Sequence, residues 1–507
     1  MTTSRTPSAP SRRSILAFGL AGAAGAIGTA RGQTPGTVPA ISDLRARPRY
    51  GSVPATVERP LSAHFGDMVN LLDHCPGNGL DSDQAGLTKA ASVAQGRPIL
   101  VVPGRQFRPE ATITVESGAP FTVIGWGNGF GPGAAVQDEA ATSLIRPIFG
   151  AGHVFDVRSL YPARFENFRI DVHPSFRNKQ GGYDGNSGAG ILVRGPTNNV
   201  NSSSIFRDVA VVGKNQCLRL LGPFVPQITG CRFMAWNGRA VEIATYPGTE
   251  GNGGEVRDNM WFGQGMNQPG SGPCLYTEVG YTKIVSNKMG GGSIAIDVAV
   301  RGANAGDLNI YDNTMEDQYT GSARFRTQDG STLTVYFERN WMSILSPVYA
   351  ATFQYHIIVE DNGADWLESS TIRGNRVRSA LENGARYIWV QTGDNVDIDH
   401  NKLINLGSNT PRGIDVYGPA SSDRLKKPIR VRHNNFKGVF SPKYSFAPGV
   451  ASFEHFDADM TVAQLADGSL GAVLDGSRVY ASDGAPGSFT GGGTGAHYRR
   501  QGGAWAP

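Results

Sequence analysis

The chain has 507 residues, with 47 Lys and Arg against 43 Asp and Glu. That near balance points to neither a nucleic-acid partner nor an anionic membrane surface, and four cysteines are too few to be a disulfide framework for a chain of this length. With 67 glycines and 30 prolines, an elongated repeat body with minor appendages suits the length better than two or three compact domains.

Residues 1–30 contain no Asp or Glu and run Ser11-Arg12-Arg13-Ser14-Ile15-Leu16, then an uncharged stretch rich in Ala and Gly, then Gly28-Thr29-Ala30. A basic region, a short apolar core and a small-x-small cleavage site describe a twin-arginine export signal, which places the mature protein in the periplasm or outside a bacterial cell. The core is too short to cross a bilayer stably, and no membrane insertion is expected after cleavage. Residues 31–60 are rich in Pro and Arg and form a linker.

Residues 61–445 are expected to be a β solenoid with a helical cap. In the entry segment, residues 80–94 have apolar positions at helical spacing behind Asp81 or Ser82 as N-cap candidates. Pro98-Ile-Leu-Val-Val-Pro-Gly104 is a buried strand stopped by Pro-Gly. Thr112-Ile-Thr-Val115 and Phe121-Thr-Val-Ile-Gly-Trp-Gly127 follow as strands. The glycines from Gly125 to Gly131 precede no helix and are a turn, not a phosphate loop.

One pattern then recurs: an apolar residue, two residues, Asn, one residue, an apolar residue. Its copies centre on Asn259, Asn287, Asn313, Asn340, Asn375, Asn401 and Asn434, with steps of 28, 26, 27, 35, 26 and 33 residues. That spacing means stacked supersecondary units. The pattern extends backward with Cys231, Val209 and Phe168 in the place of Asn. Each unit holds three short β-like runs, Gly-rich corners and no helical segment, which fits a parallel β-helix. Asn suits the corner because it tolerates a left-handed backbone, and amides stacked one coil apart can hydrogen-bond along the axis. In this register Cys217 and Cys274 lie two coils apart, roughly 9.6 Å, beyond disulfide reach. Free, mostly buried thiols are expected.

The entry order and the asparagine ladder resemble the pectate-lyase-like superfamily of right-handed parallel β-helix proteins, which includes exported polysaccharide lyases, hydrolases and tailspikes. The resemblance spans about residues 65 to 445. It implies an all-β solenoid whose N-terminal helix caps the open end, and a function on a polysaccharide. The tight acidic motifs of the polygalacturonase branch and the Arg-Pro-x-x-Arg stretch of many pectate lyases are not found, and fold alone does not set activity. Residues 457–507 change character, with the alternation Arg478-Val479-Tyr480 and a closing Trp505. They are similar to the small C-terminal β modules of tailspike-like proteins, which implies a capping role or a homotrimer.

Alternation along the last strand of each unit separates an inward apolar set from an outward polar one. Outward are Glu242, Tyr276, Glu278, Asp297, Arg324, Arg326, His356, Tyr387, Trp389, Gln391, Asp415 and Tyr417. A face of carboxylates, arginines and aromatics suits an extended glycan site. Glu242, Glu278, Asp297 and Arg326 are the catalytic candidates. Tyr276, Arg324, His356, Trp389, Asp415 and Tyr417 are the substrate-binding ones. Glu278 with Asp297 would form a close retaining-type pair and Glu242 with Asp297 a wider inverting one. A lyase would instead use Tyr276, Arg326 or His356 as base, with an Arg or a Ca2+ held by Glu and Asp neutralising a uronate. His400 and His433 beside ladder asparagines are read as stacked corner residues and not as a metal pair. The expectation is an exported enzyme cleaving a polysaccharide by hydrolysis or β-elimination. A non-catalytic glycan binder and a structural spike remain as competitors.

Overall fold

The computed structural model describes residues 68–507 except 130–141, 177–186, 196–202, 247–251, 264–271, 302–305, 329–331, 361–365, 368, 417–424, 447–450, 456–460, 467–474, 476 and 494–495, together with four two-residue strands ahead of residue 68. The expected export signal and Tyr417 lie outside the described residues. The chain divides into two units, Met1–Asp67 and Met68–Pro507. In the first, Arg45–Ala46 pairs antiparallel with Arg59–Pro60, and Arg49–Tyr50 with Val53–Pro54.

The second unit is a right-handed parallel β-helix. A representative coil runs Glu255–Arg257, turns at Asp258-Asn259, continues as Met260–Phe262, and closes with Leu275–Thr277. Each of these strands pairs in parallel with its counterpart one coil on, at Lys283–Val285, Lys288–Gly290 and Ile294–Val300. Repetition of this step stacks the three strand types into three sheets, called here first, second and third in chain order. The second and third hold twelve strands each. Val256 and Trp261 at the centres of the first two strands and Leu275 at the start of the third fill the interior. These three residues belong to one continuous apolar core. Among the described residues no helix is long and apolar enough to cross a membrane.

The ladder asparagines do not themselves take the left-handed conformation. The residue before each does: Asp258, Ser286, Asp312, Arg339, Gly374, His400 and His433 have φ between 50° and 65°. This corrects the sequence expectation. The asparagine is freed for a different task, because its buried side chain lies inside the corner and satisfies backbone groups that the turn has taken out of the sheets. Asn313 Nδ2 donates to Ile284 O at 3.0 Å and to Asn340 Oδ1 at 2.9 Å, while its Oδ1 accepts from the backbone N–H and Nδ2 of Asn287. The same links run unbroken from Asn259 to Asn434. Upstream, Asp208 and Gly230 keep the positive φ, and the apolar Val209 and Cys231 occupy the interior slot.

The cap helix is Gln84–Ala94, and it buries Leu87, Ala90, Ala91 and Ala94 in the core end that contains Val69, Ile99 and Val115. Its N-cap is Asp83, not Asp81 or Ser82. The Asp83 carboxylate is spent elsewhere, accepting from the N–H groups of Gly77 at 3.0 Å and Arg108 at 2.8 Å, so it ties the entry loop to the first coil. A Cβ on Gly86 would stand 2.2 Å from His74 O and 2.5 Å from Cys75 Sγ. Gly86→Ala is therefore expected to cost about 1–3 kcal/mol through overpacking, although the helix itself favours Ala. Urea denaturation of the two proteins measures it.

All four cysteines are buried and unpaired. Burial pushes the thiols of Cys75 and Cys231 up to about 12, so they stay protonated. Cys217 and Cys274 are separated by the row of Ala240, as the register predicts. The C-terminal segment continues the first sheet. Arg478–Ala481 pairs in parallel with Ala451–His455, then antiparallel with Ala496–Gln501, which pairs antiparallel with Ala504–Ala506. Val479, Tyr498 and Trp505 are buried there.

Candidate functional site

The register of the third sheet is the one that alternation predicts. Leu218, Val241, Leu275, Ile296, Ala323, Ile357, Ile388 and Ile414 follow one another on the inside. One residue on, the outward column runs Arg219, Glu242, Tyr276, Asp297, Arg324, Ile358, Trp389 and Asp415. A second column follows from the same register. Thr277 faces Val298, and Ala299 faces Arg326, so Glu278 lies in the column of Arg326 and not in that of Asp297. The strands supply this order because neighbouring coils stack about 4.8 Å apart with no register shift.

The column is an ion-pair ladder. Glu242 accepts from Arg239 at 2.6 Å and from Gln216, and forms an ion pair with Arg219, whose Nε lies 3.0 Å away. Asp297 is held by Arg324 Nε at 3.0 Å and Nη2 at 2.8 Å, and by Arg326 at 3.2 Å. Glu360, which the sequence reading missed, approaches the same two guanidiniums at 3.8 and 3.6 Å. Burial works to lower the Arg324 pKa, but the hydrogen bonds and charge of Asp297 outweigh it and the group is raised above its ordinary value. Asp415 takes Arg386 at 3.0 Å and Arg412 at 3.1 Å. Three carboxylates thus each meet two guanidiniums.

Glu278 differs. Its Oε1 accepts from the Tyr276 hydroxyl at 2.8 Å and its Oε2 from the Thr245 N–H at 3.1 Å, with Arg301 more distant at 3.8 Å. Burial first, then the Glu278 bond and charge, push the Tyr276 phenol up to about 12, so it remains the donor. Neither pair of carboxylates proposed from spacing forms a free acid and base, because Asp297 belongs to both pairs and is saturated by its arginines.

Two aromatic candidates are corrected. Tyr276 is buried, with the Arg239 guanidinium 3.3 Å from its ring centre, so its face is not open to a sugar. His356 is fully buried at the corner between the second and third sheets. Its Nδ1 and Nε2 lie 2.9 and 2.8 Å from the hydroxyls of Ser322 and Ser379, and its ring packs on Phe353 and Tyr387. Tyr387 is buried beside it, donating to the carbonyls of Ser379 and Ile404. The strand period holds for both residues, but Phe353 packed on His356 and Phe440 packed on Tyr387 turn their side of the strand into interior. Trp389 stays partly exposed, with Arg386 3.8 Å from its ring.

Burial pushes His356 down to about 3. An unfolded histidine takes a proton near pH 6.5, so the folded state loses stability as pH falls from there toward about 3, by at most ~1.4 kcal/mol per pH unit. His356→Gln is expected to flatten that slope between pH 6 and 4. Urea midpoints across that range test it.

His400 and His433 are stacked, 4.8 Å between ring centres, and both Nδ1 atoms meet one oxygen of Asp399, at 2.7 and 3.1 Å. Burial would raise the Asp399 pKa, yet the two imidazole bonds and the nearby charges hold it low. The three donor atoms lie within 4.8 Å of one another, a set a metal could use. Arg373 and Arg432 also reach Asp399, at 3.6 and 4.0 Å, and two guanidiniums at that range oppose a cation.

No protein-family model and no curated protein matches the sequence. Among solved structures, the chain is similar to DFA-IIIase from Arthrobacter chlorophenolicus A6 in complex with DFA-III, at 14% identity over 76% of this chain and 98% of that chain, with a TM-score of 0.51. The complex of DFA-IIIase with GF2 gives 15% identity over 81% and 96%, with a TM-score of 0.51. The family 28 exopolygalacturonase of Yersinia enterocolitica gives 12% identity over 76% and 78%, with a TM-score of 0.43. The likeness to DFA-IIIase shows the fold: this chain is a right-handed parallel β-helix protein. At this identity it carries no residue correspondence.

Proposed function

We propose that the protein is a polysaccharide-cleaving enzyme whose site is the outward face of the third sheet. The observation that carries this reading is the register that brings Glu242, Tyr276, Asp297, Arg324, Trp389 and Asp415 from successive coils into one column. Arg324 and Arg326, fixed by Asp297, keep 26% and 16% of their side chains exposed, which suits a uronate carboxylate. Glu278, steadied by Tyr276, is the ionisable group left for proton transfer. DFA-IIIase, of the same fold, is by its name an enzyme and has been solved with DFA-III bound. Export as a twin-arginine substrate fits a polymer found outside the cytoplasm.

Incubation of the full chain with a panel of uronate and neutral glycans tests this. Ultraviolet absorbance reads the unsaturated ends of β-elimination, and a reducing-end assay also reads hydrolysis. Glu278→Gln is expected to lower turnover by at least about a hundredfold with binding intact. A second reading, a non-catalytic glycan binder, is favoured by the pairing of Glu242, Asp297 and Asp415 with two arginines each. It predicts binding without product in every assay.

A further inference from the structure

The outward face of the second sheet, on a different side of the solenoid from the third, changes character toward its C-terminal coils. One outward column runs Met260, Lys288, Thr314, Trp341, Arg376, Lys402 and Asn435. The next runs Phe262, Gly290, Glu316, Ser343, Arg378, Ile404 and Lys437. Lys288 and Glu316 pair with each other at 3.9 Å. Beyond them the face is cationic only. Arg376, Arg378, Lys402 and Lys437 are all exposed, and among the described residues none has a carboxylate partner. The contrast with the third sheet is chemical, since there Arg324, Arg326, Arg386 and Arg412 are paired with carboxylates of the same sheet.

From this we infer that the second sheet carries a separate docking face for a carboxylate-bearing polysaccharide. Neighbouring rows lie about 4.8 Å apart, and residues two apart on a strand about 6.7 Å. The four cations therefore rise from backbone positions spaced at roughly 5–12 Å, a scale on which a uronate chain repeats its charges. Trp341 extends the set. It is partly exposed, with the Arg376 guanidinium 4.6 Å from its ring centre, so it fixes that cation and offers an apolar edge to a sugar ring. A flat sheet has no element to enter a duplex groove, and a single aromatic is too few to stack a nucleic-acid strand. Charge complementarity on a flat face thus favours the polysaccharide. A chain held here would keep the enzyme on an insoluble or long polymer while the third sheet works elsewhere on it. The docking face does not depend on which bond, if any, the third sheet cleaves.

The test uses the full chain in affinity electrophoresis through gels containing polygalacturonate, with dextran as the neutral control, and in titrations against double-stranded DNA and phosphatidylserine vesicles. Polygalacturonate is expected to retard the protein and dextran not to, with the effect lost at 0.5 M salt as screening sets in. Arg376→Gln, Arg378→Gln, Lys402→Gln and Lys437→Gln combined should weaken retardation by at least about tenfold, four exposed charge contacts being removed. Trp341→Ala should weaken it further, and the thermal midpoint of the quadruple variant should stay at the parent's. A parent protein that migrates unretarded overturns the inference. So does a quadruple variant as retarded as the parent while Arg324→Gln with Arg326→Gln abolishes the effect. Tighter, quadruple-sensitive binding to DNA or vesicles than to polygalacturonate overturns the assignment of the partner.

Discussion

Asn313→Asp is expected to destabilise the protein by about 3–5 kcal/mol at pH 7. Aspartate keeps the acceptor that the Asn287 N–H and Nδ2 use, but it removes the donor that serves Ile284 O and Asn340 Oδ1. A charge then faces two acceptors in a site 1% exposed, and the folded-state pKa of the new carboxyl rises above its unfolded value. A group shifted this way contributes stability below the unfolded pKa that is lost as pH rises, so the deficit should shrink toward pH 4. Asn313→Ala removes donor and acceptor alike and should show a pH-independent loss of similar size. Denaturant unfolding of both variants at pH 4 and 7 separates the cases. Equal losses for Asp at the two pH values would mean that the amide column contributes packing and not hydrogen bonding.

The second large effect concerns Asp297. Its replacement by Ala leaves Arg324 and Arg326 mostly buried, with only the more distant Glu360 for a partner, and should cost about 3–5 kcal/mol. Removing all three charges together, as Asp297→Leu with Arg324→Met and Arg326→Met, should recover most of that stability, since a buried ion cluster exchanged for apolar groups of like volume is near neutral. Glycan binding on the third sheet should not recover. Melting temperature and binding measured on the same two proteins show whether the cluster serves the fold or the site.

The solenoid was legible because its signal repeats: seven asparagines in phase declare a coil even where each strand is only three residues long. The outward column was legible for the same reason, since a period of two is fixed once the inward apolar residues are known. What stayed hidden depends on neighbours outside the strand. His356 and Tyr387 fall in the right phase yet are roofed over by Phe353 and Phe440, and no strand pattern records a roof. Arg239 lies just before its strand, and its placement over Tyr276 turns a sugar platform into a buried ring. Glu360 follows the last residue of its strand, so alternation within the strand did not reach it. The signal that would have found it is the arginine pair itself, which asks for more negative charge than Asp297 supplies. At the corners, the amide was credited with a backbone strain that the preceding residue bears, because Asn is the commoner left-handed residue and sequence alone does not say which of two adjacent positions turns.

The parallel stack ends in a reversal of strand direction, and that reversal bears on how copies of the molecule meet. A parallel rung bared at either terminus is a template on which another chain could dock and continue the stack without limit. Ala496–Gln501 runs antiparallel against the final parallel strand, and Ala504–Ala506 antiparallel against Ala496–Gln501, so an incoming coil meets the short edge strand of a hairpin and not a full parallel rung. A protein truncated before Arg478 should grow into filaments visible by electron microscopy, whereas the full chain should remain discrete.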